Sequence, residues 1–200
     1  VGSRNTTSYG LAMVDPLVRD LVEAGCSIVS GMARGLDAAA HRATLKSGGR
    51  TLAVLGSGIH KAYPRSSADL FDAIPHQGAI LSEYEPDVRP WPHQFLARNR
   101  IIAALARAVL VIEAGPRSGT ANTVRHALGY HRPVYAVPGD VTLLRSAGTN
   151  RLIVEDRARP IRCASDLLSD LLGPQWSSPE PTTEKSTIKG GEEGKVWRAL

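Results

Sequence analysis

The chain has 200 residues, 42% of them hydrophobic, with 24 Lys+Arg against 19 Asp+Glu and a formal net charge of +5. That is enough for one domain with a full core and an appendage, and no apolar run is long enough to span a membrane. Two cysteines in different surroundings and six histidines without an HExxH-type spacing exclude a disulfide framework and the common metal motifs. Nothing at the N-terminus reads as a secretory signal, so Cys26 and Cys163 are expected as buried, reduced thiols in a cytoplasmic protein.

In chain order, "VGSRNTTSYG" opens as the last residues of a strand that began earlier, followed by a turn. A helix is expected over 9–24, with Leu11, Val14, Val18, Leu21 and Val22 on one face. A strand over 26–30 runs through the turn "GMARG" into a helix that ends near Ser47, closed by Gly48 and Gly49. "TLAVL" is a buried strand, a short helix covers 68–74, and "AILSEY" is the next strand. After the proline-rich loop "EPDVRPWPHQF", "LARNRIIAALARA" reads as helix and "VLVIEA" as strand. "RSGTANTVRHALGYH" reads as turn and helix, "PVYAVPG" as strand, and the stretch to residue 172 as loop, short helix and closing helix. From 173 to 194 the chain turns rich in Pro, Ser, Thr, Gly and charge, as a linker does, and "KVWRAL" at 195–200 starts something helical.

Short apolar strands alternating with helices predict an α/β fold: a mostly parallel sheet with helices on both faces. Glycines recur just past the strands at Gly2, Gly31, Gly56, Gly115 and Gly139, along the edge where open α/β sheets bind ligands. The excess charge falls in the same part of the chain. Residues 1–172 hold 20 Lys+Arg against 15 Asp+Glu, whereas the remainder holds four of each. Only Lys46 and Lys61 in that first part are lysines; a GC-rich genome accounts for such a bias, and so does planar, bidentate phosphate recognition by arginine.

The signatures of other ligands are missing. "GSGIHK" has Lys61 where a dinucleotide fingerprint needs its third glycine, and there is no P-loop lysine motif or nucleophile elbow. No catalytic residue, metal ligand or cofactor is therefore assigned. Polar and cationic residues do follow the glycines: Ser3 and Arg4, Arg34 with Gly31 and Gly35, Lys61 and Arg65, Arg98, Asn99 and Arg100, and Ser118, Gly119 and Thr120. Spaced cations and backbone N–H groups along a trough suit a row of phosphates. Arg98 and Arg100 have a second reading, as clamps on Glu83 or Glu113. With aromatic residues at 5%, base stacking is secondary unless Tyr63 or Trp91 lines the trough.

The blocks "VGSRNTTSYG", "SGMARGLDAAAH", "LAVLGSGIHKAYP", "ILSEY", "FLARNRIIAAL", "VLVIEAGPRSGT" and "VYAVPG" resemble, in family order, the bacterial DNA-processing DprA (Smf) family. The resemblance implies an extended Rossmann-like domain over 1–172 that binds and protects single-stranded DNA without catalysis. It also implies loading of the recombinase RecA in natural transformation and recombination, homodimers, and a winged-helix domain of which 195–200 would be the start. The family's DNA-binding arginine falls on Arg4, the basic residue after its Tyr-Pro pair on Arg65, and its glycine turn on Gly31, Arg34 and Gly35. The chain departs from the family pattern at His60, at Ser67, in "SGTANT", and at Asp156, where a glycine is usual. The runner-up resemblance is to the LOG family of nucleotide phosphoribohydrolases, whose PGGxGTxxE motif is approached by "GPRSGTANT". There Thr123 stands at the place of the catalytic glutamate, and acid–base cleavage loses a central group. A nucleotide-binding domain without catalysis is the third reading, marked by tight binding of a mononucleotide at a definite stoichiometry.

Overall fold

A computed structural model describes residues 1–61 and 63–173. The expected linker and the winged-helix start fall outside the described residues, except for Gly173. Helix α1 spans Ser8–Glu23, strand β1 Ile28–Ser30, α2 Leu36–Lys46 and β2 Thr51–Val54. A 3₁₀ turn at Arg65–Ser67 leads into α3 at Ala68–Gln77, then β3 at Gly78–Leu81 and α4 at Pro92–Leu105. The second half holds β4 at Val109–Val111, α5 at Thr120–Gly129 and β5 at Val134–Ala136. It closes with α6 at Ala147–Val154, β6 at Arg159–Pro160 and α7 at Ala164–Leu172.

Every recorded strand pairing is parallel, but the strands form two ladders of three, in the orders β1-β2-β3 and β4-β5-β6. The edge of β4 turned away from β5 is taken by the first residues of the chain. Val1 O accepts from Ile112 N–H at 3.3 Å, and Ser3 N–H donates to Glu113 O at 2.8 Å. These residues run beside β4 without forming a strand of either ladder.

Period-two alternation explains why both faces are covered. In the second sheet Ile112, Tyr135 and Val137 pack with α1 and α7, while Val109, Val111, Val134 and Ala136 pack with α5 and α6. In the first, Ala53 and Leu55 pack against Ala38 of α2 and Leu70 and Ile74 of α3.

Several local expectations are corrected. Leu11 is exposed, because the buried side of the first turn of α1 is filled by the Glu113 carboxylate, which accepts from Thr7 N–H at 3.0 Å and Thr7 Oγ1–H at 2.7 Å. Helix α4 begins at Pro92, inside the expected loop: proline suits a first helical position, and Gln94 Oε1 accepts from Trp91 N–H at 2.8 Å. Strand β6 is two residues long, too short for any periodicity. Cys163 is exposed and Cys26 half-buried, so neither is the buried thiol expected, and both are free. Asp156 adopts φ 51°, a left-handed conformation that favours glycine and that aspartate tolerates, so the turn between α6 and β6 survives the substitution. No helix among the described residues is long and apolar enough to cross a membrane.

Candidate nucleic-acid interface

At the carboxyl ends of the strands lies a cleft of about 770 Å³. Arginines from five separate segments line it: Arg4, Arg34, Arg98, Arg117 and Arg145. Asp37 is the one carboxylate in the lining among the described residues.

Helix α2 starts hard against the loop that carries Arg4. Leu36 N–H donates to Ser3 O at 3.2 Å. Gly35, at φ 82°, permits this approach: a Cβ there would meet Ser3 O at 2.5 Å and Arg4 O at 2.7 Å. Within the loop, Ser3 Oγ donates to Asn5 O at 2.7 Å and accepts from Asn5 N–H at 3.2 Å. Arg34 Nη2 reaches back to Asn5 Oδ1 at 2.8 Å, and Arg145 Nη1 donates to the Asn5 carbonyl.

Arg98 enters from α4 and is 3% exposed. Its Nη1 donates to Gly31 O at 2.6 Å and to Val54 O, binding together the ends of β1 and β2. Burial lowers its pKa from the ordinary arginine value, an effect that Asp37 opposes and Arg4 reinforces. Beside it, Asn99 Oδ1 accepts from Arg98 Nε at 3.3 Å, and Asn99 Nδ2 donates to Gly119 O at 3.4 Å. Gly119 and Thr120, at the start of α5, line the cleft, so the positive end of that helix dipole faces it, while the N–H groups of Ala121 and Asn122 are bonded to Ser118 O at 3.2 Å and Gly119 O at 3.1 Å. Ser118 Oγ accepts from Thr120 N–H at 3.2 Å.

One wall is apolar. Tyr63 and Phe95 have ring centroids 5.6 Å apart, and the Arg4 guanidinium lies over the Phe95 ring at 5.2 Å. Tyr63 thus lines the cleft, whereas Trp91 is exposed and not part of the lining.

Of the residues singled out in the sequence, Ser3, Arg4, Arg34, Arg98, Asn99, Ser118, Gly119 and Thr120 are brought together in the lining. Gly31, Gly35, Lys61, Arg65 and Arg100 are not in it. Lys61 pairs with Asp87 at 3.1 Å, Arg100 pairs with Glu83, and Arg65 is exposed on the 3₁₀ turn. Arg100 therefore takes the clamping role, while Arg98 is structural in another way, bonded to carbonyls. Glu113 is held by the start of α1 instead. Arg117 and Arg145 were missed. Arg117 was open to notice, one residue before Ser118 in "GPRSGT"; Arg145 sits in a loop whose sequence carries no such mark.

Residues 1–172 match the model of the family described as DNA recombination-mediator protein A. A putative DNA processing protein DprA of Mycobacterium tuberculosis is 48% identical over 153 residues, 76% of this chain and 39% of that one. The chain thus spans about two fifths of the length of that curated relative. The X-ray structure of DNA processing protein A from Streptococcus pneumoniae superposes with a TM-score of 0.79 at 40% identity, covering 85% of this chain and 59% of that one. A structure of DNA processing protein A from Helicobacter pylori, described for its single-stranded DNA binding mode, gives 0.79 at 32% identity, covering 86% of this chain and 78% of that one. With a match over nearly every described residue, the chain belongs to the DNA recombination-mediator protein A family.

Proposed function

We propose that the cleft binds single-stranded DNA through its phosphates, without sequence preference and without catalysis. The observation that carries this reading is the lining itself: five arginines, the start of a helix and one carboxylate. Arginine forks and backbone N–H groups bonded to phosphate oxygens carry no sequence information. The Tyr63–Phe95 wall offers bases an apolar surface, secondary to the charge. The Helicobacter pylori relative, described for its single-stranded DNA binding mode, supports the same ligand class.

Family membership extends the reading to protection of the strand, RecA loading in transformation and recombination, a homodimer and a cytoplasmic setting. Arg65 and Gly31 join it through the family correspondence alone, since neither lines the cleft. Thr123, buried in the lining, supplies no carboxylate for the hydrolase chemistry of the LOG family.

The deciding experiment titrates the 200-residue chain with labelled single strands, duplexes and mononucleotides over a salt series. Single strands are expected to bind best, with log K falling linearly in log salt by about 0.7 per phosphate contacted. Tight stoichiometric binding of a mononucleotide, or sustained release of free base from one, would overturn the reading.

A further inference from the structure

Among the described residues, seven of the thirteen arginines outside the cleft pair with carboxylates, for example Arg42 with Asp69 at 2.8 Å, Arg162 with Asp166 at 3.0 Å and Arg151 with Glu155 at 2.6 Å. The cleft arginines form no such pair. An exposed guanidinium without a partner is free to sample many rotamers, and ordering it on binding weakens the affinity it provides.

Arg34 is exposed yet ordered, because its Nη2 donates to Asn5 Oδ1 at 2.8 Å. Asn5 is itself fixed, its backbone closed into a turn by Ser3 Oγ on both its carbonyl and its N–H. Its carbonyl also receives Arg145. A carboxylate at position 5 would hold Arg34 more tightly, but would cancel the charge that a phosphate needs. A side-chain amide accepts the same hydrogen bond and leaves the charge whole.

We infer that Asn5 is a positioning residue that orders Arg34 for phosphate through a neutral acceptor, sparing its charge. The inference rests on the cleft being the phosphate-binding site proposed above.

The test compares Asn5→Ala, Asn5→Asp, Arg34→Ala and the Asn5→Ala/Arg34→Ala pair in the 200-residue chain. A labelled oligothymidylate is titrated over a salt series, with thermal melts to confirm unchanged folding. Asn5→Ala is expected to weaken binding about 2- to 10-fold with the salt slope kept, since no charge is lost. Asn5→Asp is expected to weaken it further and to lower the slope by about 0.7, as if one phosphate contact were gone. In the Arg34→Ala background, Asn5→Ala is expected to add nothing, because it acts only through that arginine.

Full additivity in the double variant would overturn the inference, as would equal effects of Ala and Asp at position 5, or tighter binding by Asn5→Ala. Wild-type binding by both Asn5 variants beside a weakened Arg34→Ala would overturn it and leave the cleft assignment standing. Wild-type affinity and slope in Arg34→Ala would overturn it by removing Arg34 from the phosphate path. If Arg4→Ala and Arg117→Ala bound normally as well, the cleft assignment would fall with it.

Discussion

The Arg98 guanidinium occupies the space that a side chain on Gly31 would need. A Cβ built on Gly31 would lie 2.5 Å from Arg98 Nη2 and 2.7 Å from both Cζ and Nη1. The glycine in "SGMARG" is thus required by a buried side chain of α4, and the turn it makes is braced from behind.

Gly31→Ala is therefore expected to displace a buried charge from the two carbonyls that hold it. A loss of roughly 1–3 kcal/mol follows, seen as a melting temperature lower by roughly 2–10 °C. Single-strand affinity should fall with it, because the turn carries Arg34. An unchanged melting temperature would show that Arg98 moves aside without cost.

Arg4 lies over Phe95 with no carboxylate partner among the described residues, so its charge is available to a phosphate. Arg4→Ala is expected to weaken single-strand binding roughly tenfold across sequences and to lower the salt slope by about 0.7. Lys61→Ala and Arg100→Ala remove charges already paired with Asp87 and Glu83, and should change the slope less. Equal slopes for all three variants would refute the distinction between cleft and paired cations.

His41 predicts an acid-sensitive step in stability. It is fully buried, and its Nδ1 lies 2.6 Å from Thr51 Oγ1, whose single proton goes to Ile28 O at 2.9 Å. Nδ1 must then be the donor, and Nε2 is left without a partner. Burial pushes the His41 pKa down from 6.5 to about 4, against the weaker opposing effect of Asp37. The folded protein holds the neutral ring, so the contribution is complete above the unfolded pKa and is lost as pH falls through the folded one. About 3 kcal/mol is at stake over that window. Urea unfolding from pH 7 to pH 4 should show uptake of one proton that disappears in His41→Leu; an identical slope in the variant would contradict this.

Asp156 holds a left-handed conformation at φ 51°. Asp156→Gly is expected to stabilise the fold by about 0.5–1 kcal/mol, by relieving backbone strain. A higher urea midpoint with an unchanged m-value would confirm it, and a lower midpoint would show that the carboxylate matters more than the backbone.

Much of this architecture was legible in the residues. Apolar runs such as "TLAVL" and "VLVIEA" are strands because both faces of a parallel sheet are buried, and that leaves an unbroken hydrophobic stretch in the sequence. Strand β6 was not legible, since Arg159 and Pro160 carry neither an apolar run nor an alternation. The cleft was readable as a concentration of cations after glycine turns, but which cations face it was not. Arg98 and Arg100 sit two residues apart in "ARNR" and part ways completely: one is buried on carbonyls, the other exposed on Glu83. Two positions along a helix point some 200° apart, and only the packing of α4 against β1 and β2 decides which side is inward. Arg145 joins the cleft by reaching a carbonyl 140 positions away, a relation that no local pattern encodes.

Ser3 ties the second ladder to α2 through a single residue. Its N–H is bound just past the end of β4 and its carbonyl at the start of α2, so the loop bearing Arg4 and Asn5 is stitched to a strand end on one side and a helix start on the other. If the cleft holds a strand as proposed, a pull along it loads that residue from either side, and the main-chain bonds in two directions are expected to resist dragging more than flexible arginines alone.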